Sequence, residues 1–133
     1  MIVVDTSVWI DYFNGDSTPE TEILDRALGE EAVAIGDLIL LEILQGFRSD
    51  AGYKTAKKHL SELQQLEILG TNMAIKAADN YRKLRKKGIT IRKTADVIIA
   101  SFCIENRLPL LFSDRDFIPF VKYLKLRSVS KKT

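Results

Sequence analysis

One cysteine and one histidine stand among the 133 residues, and these two scarcities exclude whole classes of chemistry. A lone cysteine forms no internal disulfide, and Cys103 lies inside the mostly apolar run 97–104 with no histidine nearby to activate it. It reads as a buried structural thiol. His59 follows Lys57 and Lys58 in a polar stretch and reads as a solvated helix position. A zinc site of clustered thiolates or imidazoles is not available, and a serine or cysteine nucleophile system would have to rely on His59. Long hydrophobic runs are lacking too. Stretches such as Leu38–Leu41 are far too short to span a bilayer, and Ile2–Val4 has no basic segment before it. Neither a membrane helix nor a secretion signal is expected, and the protein is expected in the cytoplasm. The three prolines and seven glycines form no linker, and no internal repeat is visible, so the length fits one domain over 1–133.

What is present is charge, unevenly placed. The formal net charge of +2 hides two halves: residues 1–51 hold eleven acidic and two basic side chains, and residues 52–133 hold seven acidic and eighteen basic. Such an asymmetry describes either solvated helix faces or a basic surface for a polyanion beside an acidic centre.

Short apolar runs alternate with helical patterns. Strands are predicted at 2–4, 32–35, 66–69, 110–112 and 124–129. Helices are predicted from Pro19 to about Leu28 with Gly29 closing it, from Gly36-Asp37 to Gly46, over 52–63, over 71–87 with Gly88 closing it, and from an N-cap at Thr94 to about Glu105. Alternation of this kind predicts parallel β-α units, and hence a three-layer α/β/α sandwich around a central parallel sheet of about five short strands. Ligands in such sheets bind beyond the carboxyl ends of the strands, where successive connections diverge. Asp5 stands there, directly after the first strand.

Other acids are equally out of place. Glu42 interrupts Leu38-Ile-Leu-Leu-Glu-Ile-Leu44, Asp96 precedes Val97-Ile-Ile-Ala100, and Asp114 and Asp116 lie in Phe112-Ser-Asp-Arg-Asp-Phe117. Asp96, Asp114 and Asp116 also suit helix N-termini, and a buried Glu42 could pair with Arg48. A shared divalent cation explains Asp5, Glu42, Asp96 and Asp114 together, because without one their mutual repulsion would keep the cluster partly protonated. An all-oxygen site selects a hard ion, Mg²⁺ or alternatively Mn²⁺, which commonly engages substrate phosphate. Thr6 and Ser7 are candidate supports for the Asp5 carboxylate. Arg85, Lys86, Lys87, Arg92 and Lys93 are candidates to neutralise an RNA backbone. Trp9, Tyr12 and Phe13 could stack a base, or belong to the core or a partner contact.

The segments 1–13, the Glu42 helix, Gly88-Ile-Thr-Ile-Arg-Lys-Thr-Ala-Asp-Val-Ile-Ile-Ala100 and Leu110-Leu-Phe-Ser-Asp-Arg-Asp-Phe117 together resemble a PIN-domain ribonuclease of the VapC toxin kind, over essentially the whole chain. The resemblance implies a Mg²⁺- or Mn²⁺-dependent endoribonuclease acting on RNA such as a tRNA or a ribosomal RNA loop. Asp5, Glu42, Asp96 and Asp114 fall on the family's acidic quartet. Asp116 falls on a further metal-site acid or loop support, and Ser7 on a hydroxyl that bonds within the site. It also implies a homodimer, and a cognate antitoxin protein whose tail occupies the active-site groove. Two other readings share some features. A haloacid-dehalogenase-like phosphatase also starts with a strand-end aspartate, but expects a second one where Ser7 stands. A non-catalytic RNA-binding or antitoxin-binding scaffold would keep the fold without the activity.

Overall fold

The structure, a computed structural model, describes residues 1–129. Four strands form one parallel sheet: β1 (Ile2–Val4), β2 (Val33–Gly36), β3 (Gln64–Leu66) and β4 (Leu110–Leu111), in the order β3-β2-β1-β4. Seven helices flank it: α1 (Thr6–Phe13), α2 (Pro19–Gly29), α3 (Asp37–Gln45), α4 (Asp50–Ser61), α5 (Thr71–Lys86), α6 (Thr94–Glu105) and α7 (Ile118–Leu124), with a 3₁₀ turn at Arg115–Phe117. The expected α/β sandwich is thus the observed architecture. β1 pairs with β2 on one side and β4 on the other, so the connections diverge at β1.

β1, β2 and β4 are apolar because helices cover them on both faces. Val3, Val4, Val33, Ala34, Ile35, Leu110 and Leu111 are all buried. The fifth expected strand, 124–129, is replaced by the end of α7 and an isolated bridge between Leu110 and Ser128. Lys125 takes a left-handed conformation (φ 65°) to end the helix, and the few residues beyond it reach β4 only at that bridge. The third strand is also displaced from 66–69 to the more polar 64–66. Ile68 instead packs on Gly36, where a Cβ would meet its Cδ1 at 1.9 Å, and its N–H donates to Asp37 Oδ1 at 3.1 Å.

Helix ends follow local chemistry, with departures from expectation at α2 and α6. α5 closes as predicted on Gly88 (φ 82°), with Ile89 N–H donating to the Leu84 carbonyl and Gly88 N–H to that of Arg85. α2 does not close on Gly29; Glu31 takes the left-handed position instead (φ 55°). The N-cap of α6 is Lys93, which makes no side-chain capping bond, and Thr94 is the first helical residue. Neither α1 nor α7 has a counterpart among the predicted helix ranges. α6 is the central helix, burying Val97, Ile99, Ala100, Ser101, Phe102 and Cys103, and burial pushes the Cys103 thiol up to about 12, which makes it inert. His59 lies exposed on α4. No described helix is long and apolar enough to cross a membrane.

Candidate metal centre

Asp5 leaves the end of β1 and starts α1. Its backbone N–H donates to the Leu111 carbonyl across the sheet at 2.9 Å, and its own carbonyl accepts from Val8. Its carboxylate Oδ2 accepts from the Ser7 hydroxyl at 2.8 Å and the Ser7 N–H at 3.4 Å. The side chain is therefore both helix cap and site carboxylate. Asp5 is 4 % exposed. Burial raises its pKa, the Ser7 hydrogen bonds pull it back, and the Glu42 charge adds to the rise.

The Ser7 hydroxyl faces the Asp5 carboxylate, whereas Thr6 reaches that carboxylate only through its backbone and turns its side chain elsewhere. The Thr6 hydroxyl donates to Glu42 Oε1 at 2.7 Å, tying the first turn of α1 to α3. Glu42 is half-buried and faces that hydroxyl rather than Arg48, which is exposed and makes no described ion pair. Ser113, which sequence reasoning missed, brings its hydroxyl to 3.3 Å from that of Ser7. Its only sequence signal is its place directly before Asp114.

Opposite lie Asp96, Asp114 and Asp116, each offering a carboxylate oxygen within 4.8 Å of the others. Asp96 sits in the first turn of α6 and is 6 % exposed. Asp114 caps the 3₁₀ turn, its Oδ1 accepting the Asp116 N–H at 2.9 Å. The buried Oδ2 atoms of Asp96 and Asp116 have no hydrogen-bond partner among the described residues; the latter forms an ion pair with Arg92, whose guanidinium stands 3.6 Å away. Asp5 and Glu42 lie outside this tight trio, yet their charge reaches it. Burial first, then Asp5, Asp114 and Glu42, push Asp96 up to about 7 against the opposing pull of Lys93. Two buried carboxylate oxygens without donors, among like charges, fit a hard divalent cation.

The charged and aromatic candidates divide by position. Arg85, Lys86, Lys87, Arg92 and Lys93 are all exposed, the last two on the loop that leads into the Asp96 turn. Trp9 is 2 % exposed and stacks on Phe13 with ring centroids 5.9 Å apart, so it belongs to the core. With Tyr12, Phe13, Leu28, Leu60 and Leu63 it also walls a groove of about 830 Å³ that includes none of the five acids.

Residues 2–121 match the PIN domain. Ribonuclease VapC11 of Mycobacterium tuberculosis is 30% identical over 98% of both chains. Ribonuclease VapC1 of Methanocaldococcus jannaschii is 29% identical over 98% of this chain and 88% of its own. Among solved structures, VapBC2 from Rickettsia felis bound to a promoter DNA fragment superposes with a TM-score of 0.76 at 19% identity, covering 97% of this chain and 98% of that one. FitAcB from Neisseria gonorrhoeae gives 0.72 at 14% identity, covering 98% of each. Matched along nearly its whole length and 30% identical to VapC ribonucleases end to end, this chain belongs to the PIN-domain family.

Proposed function

We propose that this single-domain protein is a metal-dependent endoribonuclease, the toxin component of a type II toxin–antitoxin system, using Mg²⁺ with Mn²⁺ as the alternative ion. One observation carries the reading: three carboxylates whose oxygens gather within 4.8 Å, with buried oxygens of Asp96 and Asp116 lacking any donor, beside two further acids at the carboxyl edge of the sheet. Asp96, Asp114 and Asp116 would hold the ion, with Asp5 and Glu42 completing the acidic wall. The bound ion would lower the pKa of a water and screen the charge of a phosphodiester. Ser7 holds the Asp5 carboxylate and Thr6 the Glu42 carboxylate in fixed orientations, so that neither acid must reorganise when substrate arrives. Arg92 and Lys93 flank the acids and supply positive charge for the RNA backbone.

The partners follow from the same reading. RNA is the substrate, with a tRNA or ribosomal RNA loop as the expected target. The relatives include solved VapBC complexes, which supports a cognate antitoxin, and a homodimer is the expected assembly. A haloacid-dehalogenase-like phosphatase is disfavoured because the position two after Asp5 is Ser7, whose hydroxyl is committed to that carboxylate. A non-catalytic scaffold has no use for carboxylates left without donors. The test is sequencing of RNA 5′ ends after brief induction of the wild type and of Asp5→Asn. New ends that appear only with the wild type support the proposal, and identical ends with both proteins refute it.

A further inference from the structure

Two segments far apart in sequence, neither containing an acidic residue, meet in the fold. Residues 80–95 carry seven Lys or Arg and no Asp or Glu, and residues 117–129 carry three and none. α5 and α7 pack against each other. At their junction Lys87 Nζ lies 4.9 Å and Lys122 Nζ 5.1 Å from the centre of the Tyr123 ring. One turn back along α5, the Arg85 guanidinium lies 5.5 Å from the Tyr81 ring. Tyr123 is 39 % exposed. The described ion pairs are Lys76 with Glu105 and Arg92 with Asp116, so Arg85, Lys87 and Lys122 have no carboxylate partner among the described residues. These cations rest on aromatic faces instead, a weak hold at an exposed site.

We propose that the end of α5 and α7 form a landing surface for an unpaired stretch of RNA, with Tyr123 stacking a base and Lys87 and Lys122 contacting the flanking phosphates. The proposal rests on the ribonuclease reading and adds to it a binding surface outside the acidic site, built by Tyr123, Lys87 and Lys122. A nucleotide supplies both groups that this surface lacks, a π-face for the tyrosine and a phosphate for each ammonium. Proteins that hold single strands without sequence preference combine these same elements. The six-residue loop Gly88–Lys93 joins this surface to the first turn of α6 and carries Arg92 and Lys93. A duplex keeps its bases stacked inside and offers phosphates alone, so Tyr123 would be idle on it.

Fluorescence anisotropy tests this, with a fluorescein-labelled oligouridine of about twelve nucleotides and a duplex RNA of the same length, both in EDTA so that nothing is cut. Tyr123→Ala weakens oligouridine binding about tenfold and leaves duplex binding unchanged. Tyr123→Phe retains it, and Tyr123→Leu, which keeps bulk without a π-face, loses as much as alanine. Lys87→Ala and Lys122→Ala each reduce the slope of log Kd against log salt by about 0.7. Equal affinity of the wild type and Tyr123→Ala for oligouridine overturns the proposal. So does an equal loss on duplex and single strand, or binding of a polyglutamate peptide in preference to RNA. Cleavage in Mg²⁺ is followed in parallel. Cleavage with Tyr123-independent binding removes this proposal alone, whereas Tyr123-dependent binding without any cleavage supports it and removes the nuclease reading.

Discussion

The two sides of the acidic site differ in how their charge is compensated. Asp5 and Glu42 enter it already hydrogen-bonded, each by a hydroxyl from the first turn of α1. Asp96 and Asp116 enter it with buried oxygens that accept no hydrogen bond from the described residues, Asp116 having only the exposed Arg92 guanidinium at 3.6 Å. An unpaired buried acceptor costs about 1–3 kcal/mol, and more when charged, so the fold sustains a local deficit on one side only. That side is where a cation has most to offer, while the hydroxyl-bonded side supplies fixed geometry and a more distant charge.

The strongest way to break this contrast is Asp96→Asn. Loss of the carboxylate that feels the charges of Asp5, Asp114 and Glu42 should lower RNA cleavage by about 100-fold or more, beyond the usual effect of an outer-shell change. Mn²⁺ affinity, measured by calorimetry, should fall with it. Retained cleavage at the wild-type rate would show that the trio is not where the ion binds.

A second expectation concerns pH and is opposite in sign to that for a salt-bridged aspartate. Asp96 is pushed up to about 7 from 3.8, chiefly by burial, so in metal-free protein the folded state binds more protons than the unfolded one between those values. Stability without metal should therefore fall as pH rises from about 4 to about 7, by an amount on the order of 4 kcal/mol at about 1.36 kcal/mol per pH unit. Asp5 shifts in the same direction and steepens the slope. Mg²⁺ should restore the loss at high pH, and Asp96→Asn should abolish most of it. Thermal melts at pH 5 and pH 8, in EDTA and in Mg²⁺, measure all of these effects, and a metal-free melt that rises with pH would contradict the assignment.

Much of this was legible in the sequence, where local pattern and fold agree. The apolar runs at 2–4, 32–35 and 110–112 become buried parallel strands, and Asp5 and Asp114 fall beyond the carboxyl ends of two of them. What pattern alone could not give was partnership. The polar strand 64–66 has no apolar signature, and Ile68 looked like a strand residue because its partner, the bare α-carbon of Gly36, is distant in sequence. α1 was hidden because its cap is Asp5, a residue already read as a site acid. Sequence adjacency points Thr6 at Asp5, and its backbone does bond that carboxylate, but the helix turns adjacent side chains to different faces and gives the Thr6 hydroxyl to Glu42, thirty-six positions away. Asp116 reads in the sequence as a further metal-site acid or a loop support; its closeness to Asp96 depends on the 3₁₀ turn bending the chain back.

The hydroxyl side can be graded more finely, since Ser113, Ser7 and Asp5 lie in sequence along one line of hydrogen bonds. Ser7 donates its proton to the Asp5 carboxylate, so at the 3.3 Å contact Ser113 must be the donor and Ser7 the acceptor. Ser7→Ala removes a donor from a buried carboxylate and should cost about 2 kcal/mol, the scale of a bond to a charged group. Ser113→Ala removes only a longer bond to a hydroxyl, from an exposed residue, and should cost under about 0.5 kcal/mol. Urea denaturation in EDTA compares the two directly. The double variant should be no less stable than Ser7→Ala by more than the same 0.5 kcal/mol, because once Ser7 loses its hydroxyl Ser113 has nothing left to orient. Equal losses in the two single variants would mean that the pair acts as a unit, and that the compensation of Asp5 begins at the solvent-exposed loop rather than within α1.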